Sequence, residues 1–406
     1  MPGLFFFDDR LPSLAPLADL RPAWDIRTGA LTTRQRVEAQ LGATAEGLFI
    51  REELHALASE SDAKVMRAES PRVPEFGLYV NARLVNLPLQ AALLQPGEYL
   101  RDSKTQAIVA AHLNAAAATE LLTTGDAPGT SVPTTAPLEL LTRPWHVRTW
   151  RDSCLAWDLA WLARSIPAAT APSGSIVFGL SPLAVSPKAR IYPGAVIDLE
   201  HGPVVIDEGA VIRPGAQLIG PCYVGPNSTV LERATIRGGT CIGPWCKVNG
   251  ETGGTIYQGY SNKGHDGYVG DSYLGEWVNL GAGTTTSNLL NTYGEIIAKA
   301  SPALGNERTG LQFLGSIIGD HTKTAICTRL MTGTTIHTGA MIATTAAASG
   351  CVPAFAWCTD AGTRSFRLDK FTEIMTLAMG RRKVVPSQAY NQRVAALHAA
   401  AASHGS

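Results

Sequence analysis

The sequence predicts an α/β domain followed by a parallel β-helix of six-residue repeats and a C-terminal helical segment. Three observations lead to this fold class. Of the 40 glycines, 27 fall between residues 183 and 357. An aliphatic residue recurs at every sixth position through much of that region. The chain also opens on an apolar run at residues 4–7, followed at once by two acidic residues, which indicates a buried first strand.

The repeat stays in register over eight successive positions, and the residue four places after each of the first seven is small. A period of six fits neither a helical stripe nor the two-residue alternation of a simple strand. It is typical of short strands joined by tight corners, three to a coil, with aliphatic side chains stacked inside and small ones under the corners. Cys222 and Cys246 occupy corner positions, which favours packing over metal binding. The inward positions are Ile206, Ile212, Leu218, Val224, Val230, Ile236, Ile242 and Val248.

The extent of the repeat sets the expected domain boundaries. The register breaks twice, at about 249–267 and 287–312. Insertions into such a coil commonly leave it on one face and carry function, so we expect both breaks to do so. The predicted domains are an α/β domain over 1–165, a linker over 166–182, the β-helix over 183–357 and a helical segment over 358–406.

Outside the repeat, the residue pattern predicts helices over 30–60, 104–122 and 364–383 and a last helix from about Ser387. The second of these is rich in alanine, the residue with the highest helix propensity. His321 and His337 lie on predicted wall strands of the coil, where we expect them to face solvent.

Composition excludes several classes of protein. The chain has 34 Lys and Arg against 34 Asp and Glu, so it lacks the basic footprint of a protein that binds nucleic acid or an anionic membrane. No stretch reaches the roughly 18 apolar residues of a membrane span. The seven cysteines lack the pairing of a metal site, which favours reduced thiols in a cytoplasmic protein.

Residues 261–288 carry a resemblance to a known family, in the block SNKGHDGYVGDSYLGEWVNLGAGTTTSN. The block resembles the acetyltransferase half of the bifunctional N-acetylglucosamine-1-phosphate uridyltransferase/glucosamine-1-phosphate acetyltransferase family. Over roughly residues 4–380, the chain resembles a divergent branch of sugar nucleotidyltransferases with a shortened, nucleotidyltransferase-like N-terminal domain. The resemblance implies a left-handed β-helix, a homotrimer, acetyl-CoA bound between neighbouring coils, and a role in UDP-N-acetylglucosamine biosynthesis.

His265 is the residue that we expect to act in catalysis. Acetyl transfer to an amino sugar needs a base that takes a proton from the attacking amine near neutral pH, and histidine suits that role. His265 lies between Gly264 and Gly267, with Asp266 and Asp271 close by in the sequence. The alternative interpretation is a solvent-exposed loop histidine, and the matched family block favours the functional one.

The resemblance assigns roles to further positions of the block. It implies that Tyr268 and Asn279 contact the sugar phosphate and that Asn288 orients the amine or the acetyl group. Ala282, with Gly283 at the same corner, would offer backbone groups to the bound thioester, and acyl transfer requires such fixed donors. Taken alone, the glycines of this corner are explained equally well by their permissive backbone angles.

The chain departs from the family at the residues that hold the sugar phosphate. The family's lysine upstream of the histidine is missing from the segment VNGETGG, and Lys247 and Lys263 are the nearest lysines. A second family lysine is replaced by Gly294. Arg237 is the candidate phosphate ligand in their place, although a surface arginine explains it equally well.

The N-terminal region lacks the glycine-rich loop with which sugar nucleotidyltransferases normally surround the nucleotide phosphates. Arg10, Arg21 and Arg27 are candidate nucleotide ligands instead, because guanidinium groups bind phosphate. Structural or surface roles for these arginines are the alternative.

A metal site in this region is also altered. The run FGLYVN at 76–81 resembles the strand that in the family ends in a metal-binding Gly-Asp, but Asn81, Ala82 and Arg83 stand at that place. Asp8 and Asp9, after the first strand, are the remaining candidates for holding Mg²⁺.

The sequence therefore predicts a transferase. Its expected reactions are acetyl-CoA-dependent N-acetyl transfer to an amino-sugar phosphate, with His265 as general base, and NTP-dependent nucleotidyl transfer to a sugar 1-phosphate by the N-terminal domain. One alternative is a protein with a single activity, either nucleotidyl transfer or acyl transfer, whose other half is a scaffold. A second is a non-catalytic β-helix assembly protein, which would have no need for the set His265, Tyr268, Asn279 and Asn288.

Overall fold

The computed structural model describes residues 2–9, 14–68, 76–134, 136–167 and 173–403. The chain divides into two compact units. The first unit consists of Met1–Leu14, Ala18–Ile26 and Leu31–His146. The second consists of Ala15–Leu17, Arg27–Ala30 and Val147–Ser406.

A mixed seven-stranded sheet forms the centre of the first unit. Its strands are β1 (Gly3–Phe7), β2 (Ala45–Phe49), β3 (Val65–Met66), β4 (Phe76–Asn81), β5 (Glu98–Arg101), β6 (Ile108–Asn114) and β7 (Thr130–Val132). They are ordered β3-β2-β1-β4-β6-β5-β7. β1 lies between the parallel strands β2 and β4, and its phenylalanines are buried, as a central strand covered on both faces requires. The predicted first strand is confirmed.

The helices of this unit correct two predictions. They are α1 (Thr33–Leu41), α2 (Glu52–Ser61) and α3 (Ala115–Thr124), with short 3-10 turns at Ala23–Asp25 and Leu89–Leu93. A continuous helix over 30–60 is wrong, because β2 interrupts it to pair with β1. A helix over 104–122 is wrong in its first half, where β6 pairs with β4 and β5. The Asn114 side chain then accepts a hydrogen bond from the Ala117 amide at 2.9 Å and starts α3.

The second unit is a parallel β-helix whose coils pass through three walls in turn. The first wall contains β9 (Leu183–Val185), β12 (Val204–Ile206), β15 (Cys222–Val224), β18 (Thr240–Ile242), β21 (Ile256–Gly259), β24 (Tyr273–Glu276), β29 (Ile317–Ile318), β32 (Thr335–Ile336) and β34 (Cys351–Val352). The second wall contains β10 (Arg190–Ile191), β13 (Val211–Ile212), β16 (Thr229–Val230), β19 (Lys247–Val248), β22 (Asn262–Lys263), β25 (Asn279–Leu280), β30 (Lys323–Thr324), β33 (Met341–Ala343), β35 (Ala356–Thr359) and β36 (Gly362–Ser365).

The third wall contains β8 (Ile176–Gly179), β11 (Val196–Leu199), β14 (Gln217–Ile219), β17 (Thr235–Ile236), β20 (Glu251–Gly253) and β23 (Tyr268–Gly270). Beyond β23, the paired strands β26 (Thr285–Thr286) and β31 (Arg329–Leu330) follow. The predicted fold class of an α/β domain, a parallel β-helix and C-terminal helices is confirmed.

The inward residues of the repeat stack directly on one another. Ile212 pairs with Val230 and Val230 with Val248, each 18 residues further along the chain, and all three are fully buried. Cys222 and Cys246 are likewise buried, as their corner positions predict. Burying each aliphatic side chain contributes about 1.5–3 kcal/mol, so this ladder is a main source of stability.

The first break in the repeat is not an insertion, which corrects the prediction. β20, β21 and β22 continue the three walls within residues 249–267, and the coil shortens instead. Val248 pairs with Lys263, only 15 residues away. The coil is shorter because its corners contain fewer residues. The spacing between inward positions in the sequence therefore changes, while the inward side chains continue to stack.

The second break does leave the coil. Tyr273 of β24 pairs with Ile317 of β29, 44 residues further on. The intervening chain forms a small antiparallel pair, β27 (Ile297–Ala298) and β28 (Glu307–Arg308).

Two elements of the second unit, β8 and α5, come before residue 183, the predicted start of the β-helix domain. β8 pairs with β11, so the coil includes a strand within 166–182. The helices α4 (His146–Thr149) and α5 (Arg151–Ser165) follow the first unit. α5 belongs to the second unit, because Arg151 donates hydrogen bonds to Gly254 and, at 3.0 Å, to Asp271.

The predicted C-terminal helices are α6 (Leu368–Gly380) and α7 (Gln388–Ser403). They and the second break cover wall residues, which corrects the expectation that His321 and His337 face solvent. Both are buried: the His321 Nε2 lies 2.7 Å from the Tyr390 hydroxyl, and the His337 Nε2 lies 3.1 Å from the Ala300 carbonyl. Over the described ranges, no helix combines the length and apolar character needed to cross a bilayer.

Candidate functional site

His265 lies at a corner of the β-helix, where the chain passes from β22 on the second wall to β23 on the third. Its side chain is exposed and makes no hydrogen bond to another described residue. The loop around it is fixed through its backbone. The Gly283 amide donates to the Asp266 carbonyl at 3.0 Å, and the Glu251 amide donates to the Gly267 carbonyl at 3.2 Å. The imidazole is therefore an accessible basic group on a held backbone.

Lys263 supports this corner from inside the coil. It occupies an inward position between Val248 and Leu280, and it is 1% exposed. Its ammonium group donates to the Asn249 carbonyl at 2.9 Å and to the His265 carbonyl at 3.0 Å. Burial lowers the pKa of Lys263 to about 8, and the carboxylate of Asp266 opposes that shift. Lys263 is a positioning residue, since it acts on the backbone that carries His265.

Replacing Lys263 with methionine is expected to loosen the corner without destabilising the coil at pH 7. The change removes a buried charge and keeps the length of the side chain. The Glu251 and Gly283 amides should exchange with deuterium about tenfold faster, because the loop carbonyls that they contact lose their anchor. Unchanged exchange at both amides would show that the corner does not depend on the ammonium.

The same variant should change how stability depends on pH. Unfolded lysine has a pKa of about 10.4, so between about pH 8 and pH 10.4 the unfolded chain binds more protons and stability rises with pH. In Lys263→Met, the part of this rise in stability that is due to Lys263 should be absent. Burial also lowers the pKa of Lys323 to about 8, so that lysine should retain its own share.

Tyr268 and Asn288 are in direct contact on the third-wall side of the corner. The Asn288 amide nitrogen donates to the Tyr268 hydroxyl at 3.1 Å and to the Asp271 carboxylate at 2.8 Å. Asp271 in turn binds Arg148 at 2.7 Å and Arg151 at 3.0 Å. Burial raises the pKa of Tyr268, so its phenol stays protonated. This chain of bonds fixes the Asn288 amide and leaves its oxygen without a partner among the described residues.

Arg237 and Asn279 lie apart from that pair. Arg237 is exposed and forms an ion pair with Glu251 at 2.5 Å, and Glu251 is the register partner of Tyr268 on the third wall. Asn279 lies on the second wall, where its side-chain oxygen accepts a hydrogen bond from Asn262 at 3.2 Å. The predicted site residues thus surround the His265 corner on two walls.

Ala282 and Gly283 form the equivalent corner one coil further on. The Gly283 amide is committed to Asp266, and the Ala282 carbonyl accepts from the Cys327 amide at 2.6 Å. The Ala282 amide makes no hydrogen bond to any described residue. Of the backbone groups predicted to meet a thioester, this amide is the one that remains able to donate.

In the first unit, the residues present do not fit a divalent cation. The Asp9 carboxylate is bound by the Arg83 guanidinium, with one contact at 2.9 Å, and by the Asn81 amide at 2.7 Å. Asp8 is paired with Arg51 at 2.8 Å. Within the residues that the structure describes, no group of three His, Cys, Asp or Glu side chains could hold a metal ion. The placement of Asp8 and Asp9 therefore gives the predicted Mg²⁺ site no support.

Two of the three predicted nucleotide ligands lie among the described residues, and both are buried. Arg10 lies outside the described residues. Arg21 is buried in the first unit. Arg27 is buried in the second unit, where its amide donates to the Gln258 side chain at 2.9 Å and its guanidinium bonds the Ala30 carbonyl. Arg27 is committed to structure, which corrects the expectation that it binds nucleotide.

Comparisons with known proteins find partial matches to two kinds of protein. Residues 4–166 match the family model described as sugar nucleotidyl transferase. The bifunctional protein GlmU of Rippkaea orientalis is 37% identical over 103 residues, which cover 25% of this chain and 21% of that protein. GlmU of Heliobacterium modesticaldum is 31% identical over 168 residues, covering 37% of this chain and 35% of that protein. The chain is therefore similar in part to sugar nucleotidyl transferases and in part to GlmU.

The match to these relatives is partial, and the chain spans about a third or less of their length. Among solved structures, the UDP-N-acetylglucosamine acyltransferase of Campylobacter jejuni is similar at 12% identity and a TM-score of 0.24. That likeness covers 55% of this chain and 81% of the other. The matches to GlmU and to the sugar nucleotidyl transferase model bear out the resemblance that the sequence indicates.

Several residues around the His265 corner could not be singled out from sequence. Lys263 becomes an inward residue only once the coil is known to shorten. Arg148 and Arg151 reach Asp271 from more than 100 residues away, so no local pattern connects them. A search for polar residues that interrupt the inward column, with coil length left free, would have found Lys263.

Proposed function

We propose that the β-helix catalyses acetyl-CoA-dependent N-acetyl transfer to an amino-sugar phosphate, with His265 as the general base. The observation that carries the proposal is the accessible imidazole of His265 on a corner held by Lys263 and flanked by Tyr268 and Asn288. An assembly protein gains nothing from a buried lysine that anchors this corner, because an aliphatic residue would stabilise the coil better.

The residues present have the chemistry for this reaction. Bound acetyl-CoA supplies the acetyl group as a thioester. As the amine nitrogen bonds to the thioester carbon and the carbon–sulfur bond breaks, His265 takes the amine proton and can return it to the leaving thiolate. The Ala282 amide donates to the carbonyl oxygen as negative charge develops there. The unpartnered oxygen of Asn288 accepts an N–H of the amine and orients it.

A homotrimer is part of the proposal. His265 is exposed in the single chain. Acyl transfer needs a site that excludes water. The β-helix of a neighbouring chain, packed against this corner, would exclude water from His265. The same packing would hold acetyl-CoA between adjacent chains.

A second candidate function belongs to the first unit. The match of residues 4–166 to sugar nucleotidyl transferases favours NTP-dependent nucleotidyl transfer to a sugar 1-phosphate. Because Asp9 is committed to Arg83, we derive no step through a metal ion here.

The purified full-length chain tests both functions. With acetyl-CoA and glucosamine 1-phosphate, we expect release of free thiol that depends on both substrates. With UTP or dTTP and a set of hexose and hexosamine 1-phosphates, we expect release of pyrophosphate. Thiol release alone would identify an acyltransferase with an inactive first unit, and pyrophosphate release alone the reverse. If neither thiol nor pyrophosphate is released, the result favours the non-catalytic assembly protein.

A further inference from the structure

A cavity of about 280 Å³ lies between α6 and the second wall of the β-helix, inside the second unit. The wall contributes Trp277, Asn279 and Lys323, among others, and the helix contributes apolar residues and two arginines at its C-terminal end. The proposed reaction has not used this cavity, although Asn279 belongs to it.

The cavity carries positive charge that nothing on its surface balances. Lys323, Arg381 and Arg382 line it, and no carboxylate does. Burial lowers the pKa of Lys323 to about 8, with no opposing carboxylate. Burial and the neighbouring Arg381 also lower the pKa of Arg382. Arg381 is exposed, whereas Lys323 and Arg382 are partly buried and have no acidic partner among the described residues. Burial of these two cations is costly unless an anion binds to them.

The neutral polar group of the cavity is a donor as well. Asn262 donates to the Asn279 side-chain oxygen at 3.2 Å, which leaves the Asn279 amide nitrogen pointing away from that bond. The nitrogen makes no hydrogen bond to another described residue. Together with the ammonium and guanidinium groups, it gives the cavity more donors than acceptors, although the buried side-chain oxygen of Asn262 is an acceptor without a described partner. A lining in which charged donors predominate matches a ligand whose atoms accept, as phosphate oxygens do.

The size and position of the cavity restrict the ligand further. At about 280 Å³ it is at the small end of ligand sites, so it fits a small phosphorylated molecule rather than a whole coenzyme. Trp277 and Leu377 give the carbon skeleton an apolar surface. Asn262 precedes His265 by three residues, which keeps their Cα atoms within about 10 Å.

We propose that this cavity binds the phosphoryl group of the amino-sugar phosphate, with Lys323, Arg381 and Arg382 as its ligands. These residues then do the work of the lysines that the chain lacks at 248–254 and at Gly294. The proposal rests on the acetyl-transfer function proposed above for the choice of sugar, while the phosphate site itself stands on the cavity.

Calorimetry on the full-length chain tests the site. The double variant Arg381→Gln/Arg382→Gln should bind glucosamine 1-phosphate at least about tenfold more weakly than the parent, because two charge-assisted contacts are lost. Inorganic phosphate should compete in the parent and not in the variant. Lys383→Gln, an adjacent exposed lysine outside the cavity, is the matched control and should bind like the parent. Lys323→Met gives a second variant that removes a partly buried charge and shortens the side chain by only one atom.

Kinetics separate this proposal from the proposed function. In the double variant KM for the sugar phosphate should rise about tenfold with little change in kcat. If the parent chain binds glucosamine 1-phosphate and phosphate as expected and yet transfers no acetyl group, the proposed function is wrong. That result would still support the phosphate site. Acetyl transfer with KM and affinity unchanged in both variants would overturn the site. A lower melting temperature with unchanged affinity would also overturn it, because the arginines would then serve only the C-terminus of α6.

Discussion

Replacing His265 with alanine is expected to lower kcat for acetyl transfer by about 10²–10⁴-fold, the usual contribution of a positioned general base. KM for the sugar phosphate should change little, because the imidazole meets the amine and not the phosphate. The variant should fold normally, since the side chain is exposed and makes no hydrogen bond to the described residues.

Two controls make this result specific to proton transfer. His201→Ala removes another exposed histidine of the β-helix and should leave kcat unchanged. Added imidazole should restore part of the activity of His265→Ala, because a small base can enter the space left by the side chain. If thiol release is the same in the parent and in His265→Ala, the base assignment is wrong.

The periodicity of the sequence predicts the β-helix because each coil repeats the same local requirement, an inward aliphatic residue and a small corner residue. It fails where the coil shortens. Val248 and Lys263 occupy equivalent inward positions 15 residues apart, and a search at fixed period misses that relation. A break in the period therefore indicates either an insertion or a shorter coil, and the sequence alone does not separate the two.

Contacts between distant segments are the second source of error. His321 lies on a wall strand that local pattern makes solvent-facing, yet it is buried and stacks on Trp277, with its Nε2 against the Tyr390 hydroxyl. The candidate cavity has the same origin, because α6 brings Arg381 to Asn279 from about 100 residues away. Only the packing of the C-terminal helices on the coil reveals these pairings.

In the first unit, pairing in the sheet overrides local propensity. Residues 108–114, for which the residue pattern predicts a helix, form β6 because β4 and β5 pair with them on both sides. The block 261–288 behaved differently. It places Tyr268 and Asn288 in direct contact, because the two residues lie on neighbouring coils that are adjacent in the sequence.

Replacing Arg83 with methionine is expected to destabilise the first unit by about 3–5 kcal/mol, because it leaves the buried Asp9 carboxylate without its cation. The side chains of Arg83 and Asp9 are only 4% and 5% exposed. The variant also removes the hydrogen bond that Arg83 donates to the Leu141 carbonyl at 2.8 Å. The amides of β1 and β4 should report the loss by faster hydrogen exchange, which avoids assuming that both units unfold together.

The charge partners provide the controls. The double variant Asp9→Asn/Arg83→Met removes both charges and should recover most of the lost stability, because the cost lies in the unpaired carboxylate. Arg67→Met breaks the exposed pair with Glu52 in the same unit and should leave hydrogen exchange in β1 and β4 nearly unchanged, because exposed ion pairs contribute little to stability. Saturating Mg²⁺ should not protect the parent chain, since Arg83 occupies the carboxylate that a metal would need. Protection of β1 and β4 by Mg²⁺, or a loss below about 1 kcal/mol in Arg83→Met, would show that the Asp9–Arg83 pair has not replaced a metal site.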